Sequence, residues 1–117
     1  MKTTISAIHY NKNPKTKVYT LEKVKKLAKF HPKIQEAHVR LFSEKAHRGE
    51  EHDFYCEIEI AVPGRIITII DTEREIDKAI DKAVERMRRT LTKHKEKDIT
   101  KKHREGLKTK RSARRLS

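Results

Sequence analysis

The sequence predicts an α+β fold in the order β-α-β-β-β-α, two helices packed on one face of a four-stranded sheet. Three observations carry this. Asp53–Val62 alternates strictly, with Phe54, Cys56, Ile58, Ile60 and Val62 set against Tyr55, Glu57, Glu59 and Ala61, the pattern of a strand with one buried face. Pro63-Gly64 follows as a short turn and returns the chain into Arg65–Ile70 as an antiparallel hairpin. From Thr72 to Lys97 the period becomes helical, and Ile76, Ala79, Ile80, Ala83, Val84, Met87 and Leu91 fall on one arc.

Lys2–Tyr10 opens the chain as a strand, rich in β-branched residues, with Thr3, Ile5 and Ala7 alternating. Asn13-Pro14 starts a helix, an N-cap followed by proline at the first helical position. That helix is predicted to reach about Phe30, where Pro32 stops it. Thr20, Leu21, Val24, Leu27 and Ala28 face inward, and Lys23, Lys25, Lys26 and Lys29 face outward. Glu36–Glu44 reads as a strand, with Ala37, Val39 and Leu41 alternating with His38, Arg40 and Phe42. Lys45–His52, polar and containing Gly49, reads as a loop. Ile66, Ile67, Ile69 and Ile70 predict a fourth strand covered on both faces, or partly sheltered on its outer one. Thr72 and Glu75 form a capping box for the second helix, which would span roughly 39 Å. Beside its apolar arc lie two further stripes. Lys78, Lys82, Arg86, Arg89 and Lys93 form one, and Asp77, Asp81 and Glu85 with Arg88 form the other.

Composition bounds the function. Lys plus Arg number 30 against 17 Asp plus Glu, a formal charge of +13, and 34% of residues are hydrophobic against 40% charged. A modest core under a dense positive surface points to nucleic acid or an anionic membrane as partner. No apolar run reaches the roughly 18 residues of a membrane span, and the first residues do not read as a signal peptide. One cysteine, Cys56, excludes an internal disulfide and fits a reducing, cytoplasmic setting. The chain divides into a folded domain over 1–97 and a basic tail over 98–117. In the tail eight cations against two acids contribute +6, and Gly106 interrupts any helix, so it is expected to be disordered until it meets a polyanion.

His47, His52 and Cys56 are metal-ligand types close in sequence. Two of them stand in a polar loop, however, the spacing fits no closed site, and a fourth ligand is missing. No metal is expected, and Cys56 reads as a core residue. Glu57 and Glu59 share a strand face, an ordinary arrangement for a wet face; no nucleophile with a base appears, and three glycines make a phosphate loop improbable. The sequence therefore predicts no catalytic residue, no cofactor and no enzyme. What remains is a row of cations on each helix, which suits a phosphate backbone better than a small anion. The plainer reading is a solvated face held by pairs such as Glu85 with Arg89. With both helices on one sheet face, the two rows are expected to merge into a single basic surface. Aromatic content of 5% with no tryptophan disfavours a stacking platform for single strands. At fold level the order resembles the double-stranded-RNA-binding domain with an extra leading strand, which makes a general structured-RNA-binding protein the second reading.

The segment Met87–Lys97, and above all Leu91-Thr92-Lys93-His94-Lys95, resembles the end of the second helix in the ribosome hibernation-promoting factor and ribosome-associated inhibitor A family, short form. Ala79-Ile80, Asp81 through Val84, Pro63-Gly64, Ile5, Asn13-Pro14, and Lys23, Val24, Lys26, Leu27 and Lys29 fit as well, so the resemblance covers residues 1–97. It implies the same element order and a translation inhibitor that binds the small ribosomal subunit in the mRNA/tRNA channel near the decoding centre, acting by steric occupancy. It further implies a cytoplasmic protein, monomeric off the ribosome, with neither membrane nor small-molecule substrate as partner. It carries rRNA contact over to Lys23, Lys26, Lys29, Lys78, Lys82, Arg86, Arg89 and Lys93. Asp77 stands where the family has tyrosine, and the tail is basic where the inhibitor A type is acidic. With no room for the dimerising second domain of long members, ribosome dimerisation by this chain alone is not expected. A metal-bound enzyme or regulator, and a structural ribosomal protein, are the remaining readings.

Overall fold

A computed structural model describes residues 1–8, 14–45 and 52–116, with side chains given through residue 96 except at 8, 45 and 52. Its elements are β1 (Lys2–Ile8), α1 (Pro14–Lys25) continued by a 3₁₀ segment (Lys26–Phe30), β2 (Glu36–Lys45), β3 (His52–Val62), β4 (Arg65–Glu73) and α2 (Ile76–Leu116). The strands lie in the order β1-β2-β3-β4. β1 runs parallel to β2 and the other pairs are antiparallel. A parallel pair needs a crossover connection, and α1 supplies it. Gly64, at φ 82°, takes the left-handed conformation that lets β3 turn directly into β4.

Register decides which side chains meet. Ile5, Val39, Ile58 and Ile69 are successive cross-strand partners, so one row of β-branched residues crosses all four strands on the inner face. Against it α2 sets Ala79, Ile80, Ala83, Met87 and Leu91, each fully buried, and the first helical stretch adds Val24 and Leu27. Enclosing a side chain such as Leu91 contributes about 1.5–3 kcal/mol. Thr20 is also fully buried, and its hydroxyl donates to the Thr16 carbonyl at 2.7 Å, so that hydroxyl is not stranded in the core.

The element ends depart from the sequence reading. The capping box at Thr72 and Glu75 does not form, because Thr72 pairs with Tyr55 in the β3–β4 ladder. The helix begins at Ile76 instead, with the Ala79 amide bonded to the Glu75 carbonyl at 3.1 Å. β4 is correspondingly longer and simply alternates, with Ile67, Ile69 and Asp71 buried and Ile66 and Ile70 exposed. It is therefore an edge strand with an open outer face, not one covered on both sides. Ala28 is exposed rather than inward, since tightening to 3₁₀ brings Val24, Leu27 and Phe30 into line at a spacing of three. β1 stops at Ile8, and the expected extension to Tyr10 lies outside the described residues, as does most of the polar loop before β3. α2 runs unbroken through Gly106 to Leu116, where the sequence reading broke the helix. One helical glycine costs only about 1 kcal/mol against alanine, and the surrounding lysines and arginines are good helix formers.

Candidate nucleic-acid interface

With its apolar arc on the sheet, α2 leaves two flanks, and each meets a different neighbour. On the β4 flank, Lys82 Nζ lies 3.4 Å from Glu73, and Arg86 Nη1 donates to Asp71 Oδ1 at 2.7 Å and to the Ile70 carbonyl at 3.2 Å. Lys78 stands 3.8 Å from Glu75, at the helix start, and Arg89 stands 3.3 Å from Glu85. On the α1 flank, Asp81 accepts a short hydrogen bond from the Tyr19 hydroxyl and lies 3.8 Å from Lys23, whose ammonium sits 5.5 Å from the Tyr19 ring centre. About two turns further on, Arg88 lies over the Phe30 ring at 5.5 Å and grips Glu85 at 2.5 and 3.0 Å.

These contacts set the local electrostatics. Donation to Asp81, helped by burial and the charges of Asp81 and Asp77, pushes the Tyr19 phenol up to about 12. The Arg88 guanidinium, with Arg89 behind it, holds the Glu85 carboxyl below the usual carboxylate range, and Glu85 in turn raises Arg88.

The two basic rows therefore do not merge as expected. Asp81 and Glu85, tied to Tyr19, Lys23 and Arg88, form a seam between them, because the acidic strip of α2 is the flank that turns toward α1. Of the eight predicted cations, Lys23, Lys78, Lys82, Arg86 and Arg89 sit in ion pairs. Lys26, Lys29 and Lys93 are exposed and in no ion pair among the described residues. Exposed pairs contribute only about 0–1 kcal/mol, so the long contacts of Lys23, Lys78 and Lys82 are readily exchanged for a phosphate. Arg86 differs, because its partner Asp71 is buried.

Asp71 and Tyr19 are the contributors that sequence reasoning missed. A carboxylate continuing the inward alternation Ile67, Ile69, Asp71 was the available signal for the first. Tyr19 stands 62 residues from Asp81 and carried none. Cys56 is fully buried, as expected, and burial, then Asp71 and Glu57, push its thiol up to about 12. No group of three metal-ligating side chains occurs among the described residues, and the side chains of His47 and His52 lie outside them. On the helix-free sheet face, Phe42 and Tyr55 stack on each other at 4.8 Å and 2°. No helix among the described residues is long and apolar enough to cross a membrane.

Solved structures share this architecture. The N-terminal domain of Thermus thermophilus Protein Y is 20% identical with a TM-score of 0.66, covering 80% of this chain and 99% of that one. A ribosomal subunit interface protein from Coxiella burnetii is 16% identical with a TM-score of 0.68, covering 81% and 98%. No curated protein matches by sequence. The family described as Sigma 54 modulation protein / S30EA ribosomal protein matches residues 3–99, and the chain belongs to that family. The resemblance to hibernation-promoting factors read from Leu91–Lys95 agrees with this membership, and the family is one of non-enzymatic, ribosome-associated proteins.

Proposed function

We propose that the protein is a hibernation factor that binds the small ribosomal subunit in the mRNA/tRNA channel near the decoding centre and inhibits translation by occupying it. The carrying observation is the cationic row Lys78, Lys82, Arg86, Arg89 and Lys93, laid along the side of α2 that the core and the acidic seam leave open. Lys23, Lys26 and Lys29 form a second, parallel contact line across the seam. Family membership supports the ribosome as the target, and the solved relative called a ribosomal subunit interface protein supports the location. Recognition is by phosphate position and A-form shape, with neither base readout nor chemistry required. The protein works in the cytoplasm, as a monomer until it meets the subunit, because a +13 surface repels its own copies. The basic residues after Asp98 extend the contact along RNA.

Sedimentation with isolated small subunits tests this. The expected result is saturable one-to-one binding that mRNA and initiator tRNA compete away. Equal affinity for any RNA duplex of similar length would replace it with a general structured-RNA binder.

A further inference from the structure

Asp71 is a carboxylate at a buried, inward-facing position of β4. It lies at the inward alternation of β4 with its side chain 6% exposed, and Oδ2 is buried with no hydrogen-bond partner among the described residues. Oδ1 accepts from Arg86 Nη1 at 2.7 Å, and the same nitrogen donates to the Ile70 carbonyl at 3.2 Å. A buried carboxylate without its cation would be strongly unfavourable, so this pair is held far more firmly than the exposed pairs of Lys78 or Lys82. Arg86 is nevertheless 53% exposed, and its Nε and Nη2 bond to no described residue. One nitrogen of the guanidinium is held by Asp71 and the Ile70 carbonyl, while the side chain as a whole stays half exposed.

We propose that Asp71 is a positioning residue for RNA binding: it locks Arg86 so that its free edge is a preset fork for one backbone phosphate. This rests on the reading that the α2 row faces rRNA. A lysine delivers a mobile point charge, and a free arginine must lose rotamer freedom when it engages. Arg86 has lost that freedom on folding. The lock thus adds affinity at one phosphate and sets the height of that phosphate over β4, which the flexible lysines cannot do.

Asp71→Asn raises the net charge by one, so simple attraction predicts tighter binding, whereas positioning predicts weaker. The experiment measures affinity for isolated small subunits in Asp71→Asn, Arg86→Lys and the double variant, with folding followed by circular dichroism. Asp71→Asn is expected to weaken binding about three- to tenfold, the scale of one immobilised side chain, and to change it less than twofold when Arg86 is already lysine. Binding that is unchanged or tighter in Asp71→Asn overturns the proposal. So does an equal loss in both backgrounds, which would mark Asp71 as merely structural. If Asp71→Asn does not fold, Arg86→Lys decides: it keeps the charge and loses the fork, so undiminished affinity overturns the proposal. The wider reading fails separately, if reversing Lys82, Arg89 and Lys93 leaves subunit binding intact.

Discussion

At the scale of the residue, Tyr19 shows how one hydroxyl ties the two helices together. Its phenol donates to Asp81, and its titration is pushed from 10.0 up to about 12. The folded state holds this proton more tightly than the unfolded chain does. The contribution to stability is therefore full below pH 10 and is lost as pH rises through about 12. A phenolate absorbance titration of the native protein, which has three tyrosines, should show one late step that disappears in Tyr19→Phe. A normal titration of all three would remove the bond from the account. Asp81→Ala should cost about 1 kcal/mol in denaturant unfolding, given how exposed the contact is, without weakening RNA affinity. Cys56 was legible as a core residue because strict alternation placed it inward. Asp71 was not, because a carboxylate reads as the end of a strand until Arg86, 15 residues later, is seen folded back over it.

At the scale of the element, periodicity identified every strand and both helices. Element ends were less legible, and for a specific reason. Thr72 and Glu75 satisfy a local capping rule, but the β3–β4 ladder continues to Phe54 opposite Glu73 and takes Thr72 first. The cationic stripe of α2 was legible from its spacing alone. Its separation from the lysines of α1 was not, since that depends on how far α2 is rotated about its axis, which only packing sets. Reversal of Lys82, Arg89 and Lys93 to glutamate, which spares the Asp71–Arg86 pair, should weaken small-subunit binding about a hundredfold. It should also flatten the dependence of log affinity on log salt by up to ~0.7 per lost phosphate contact. Unfolding midpoints should barely move, because none of the three enters the core. The end of α2 gives a second test. Truncation at Asp98 should reduce the salt slope by the same amount per contact, and an unchanged slope would show that the residues beyond it do not touch RNA.

At the scale of the whole molecule, charge is distributed by face. The helix side carries the two cationic rows with the acidic seam between them. The open sheet face is mixed, with Arg40 3.8 Å from Glu57 and His38 3.2 Å from Glu36. On the proposed function, such an asymmetric body would enter an RNA-walled channel in one orientation, helices toward phosphate and sheet away. Chemical footprinting of small-subunit rRNA, with and without the protein, tests that claim most directly. A compact set of protected backbone positions lining the mRNA/tRNA channel is expected, lost when Lys82, Arg89 and Lys93 are reversed. Protection scattered over surface helices, or a channel footprint that survives the reversal, would contradict it.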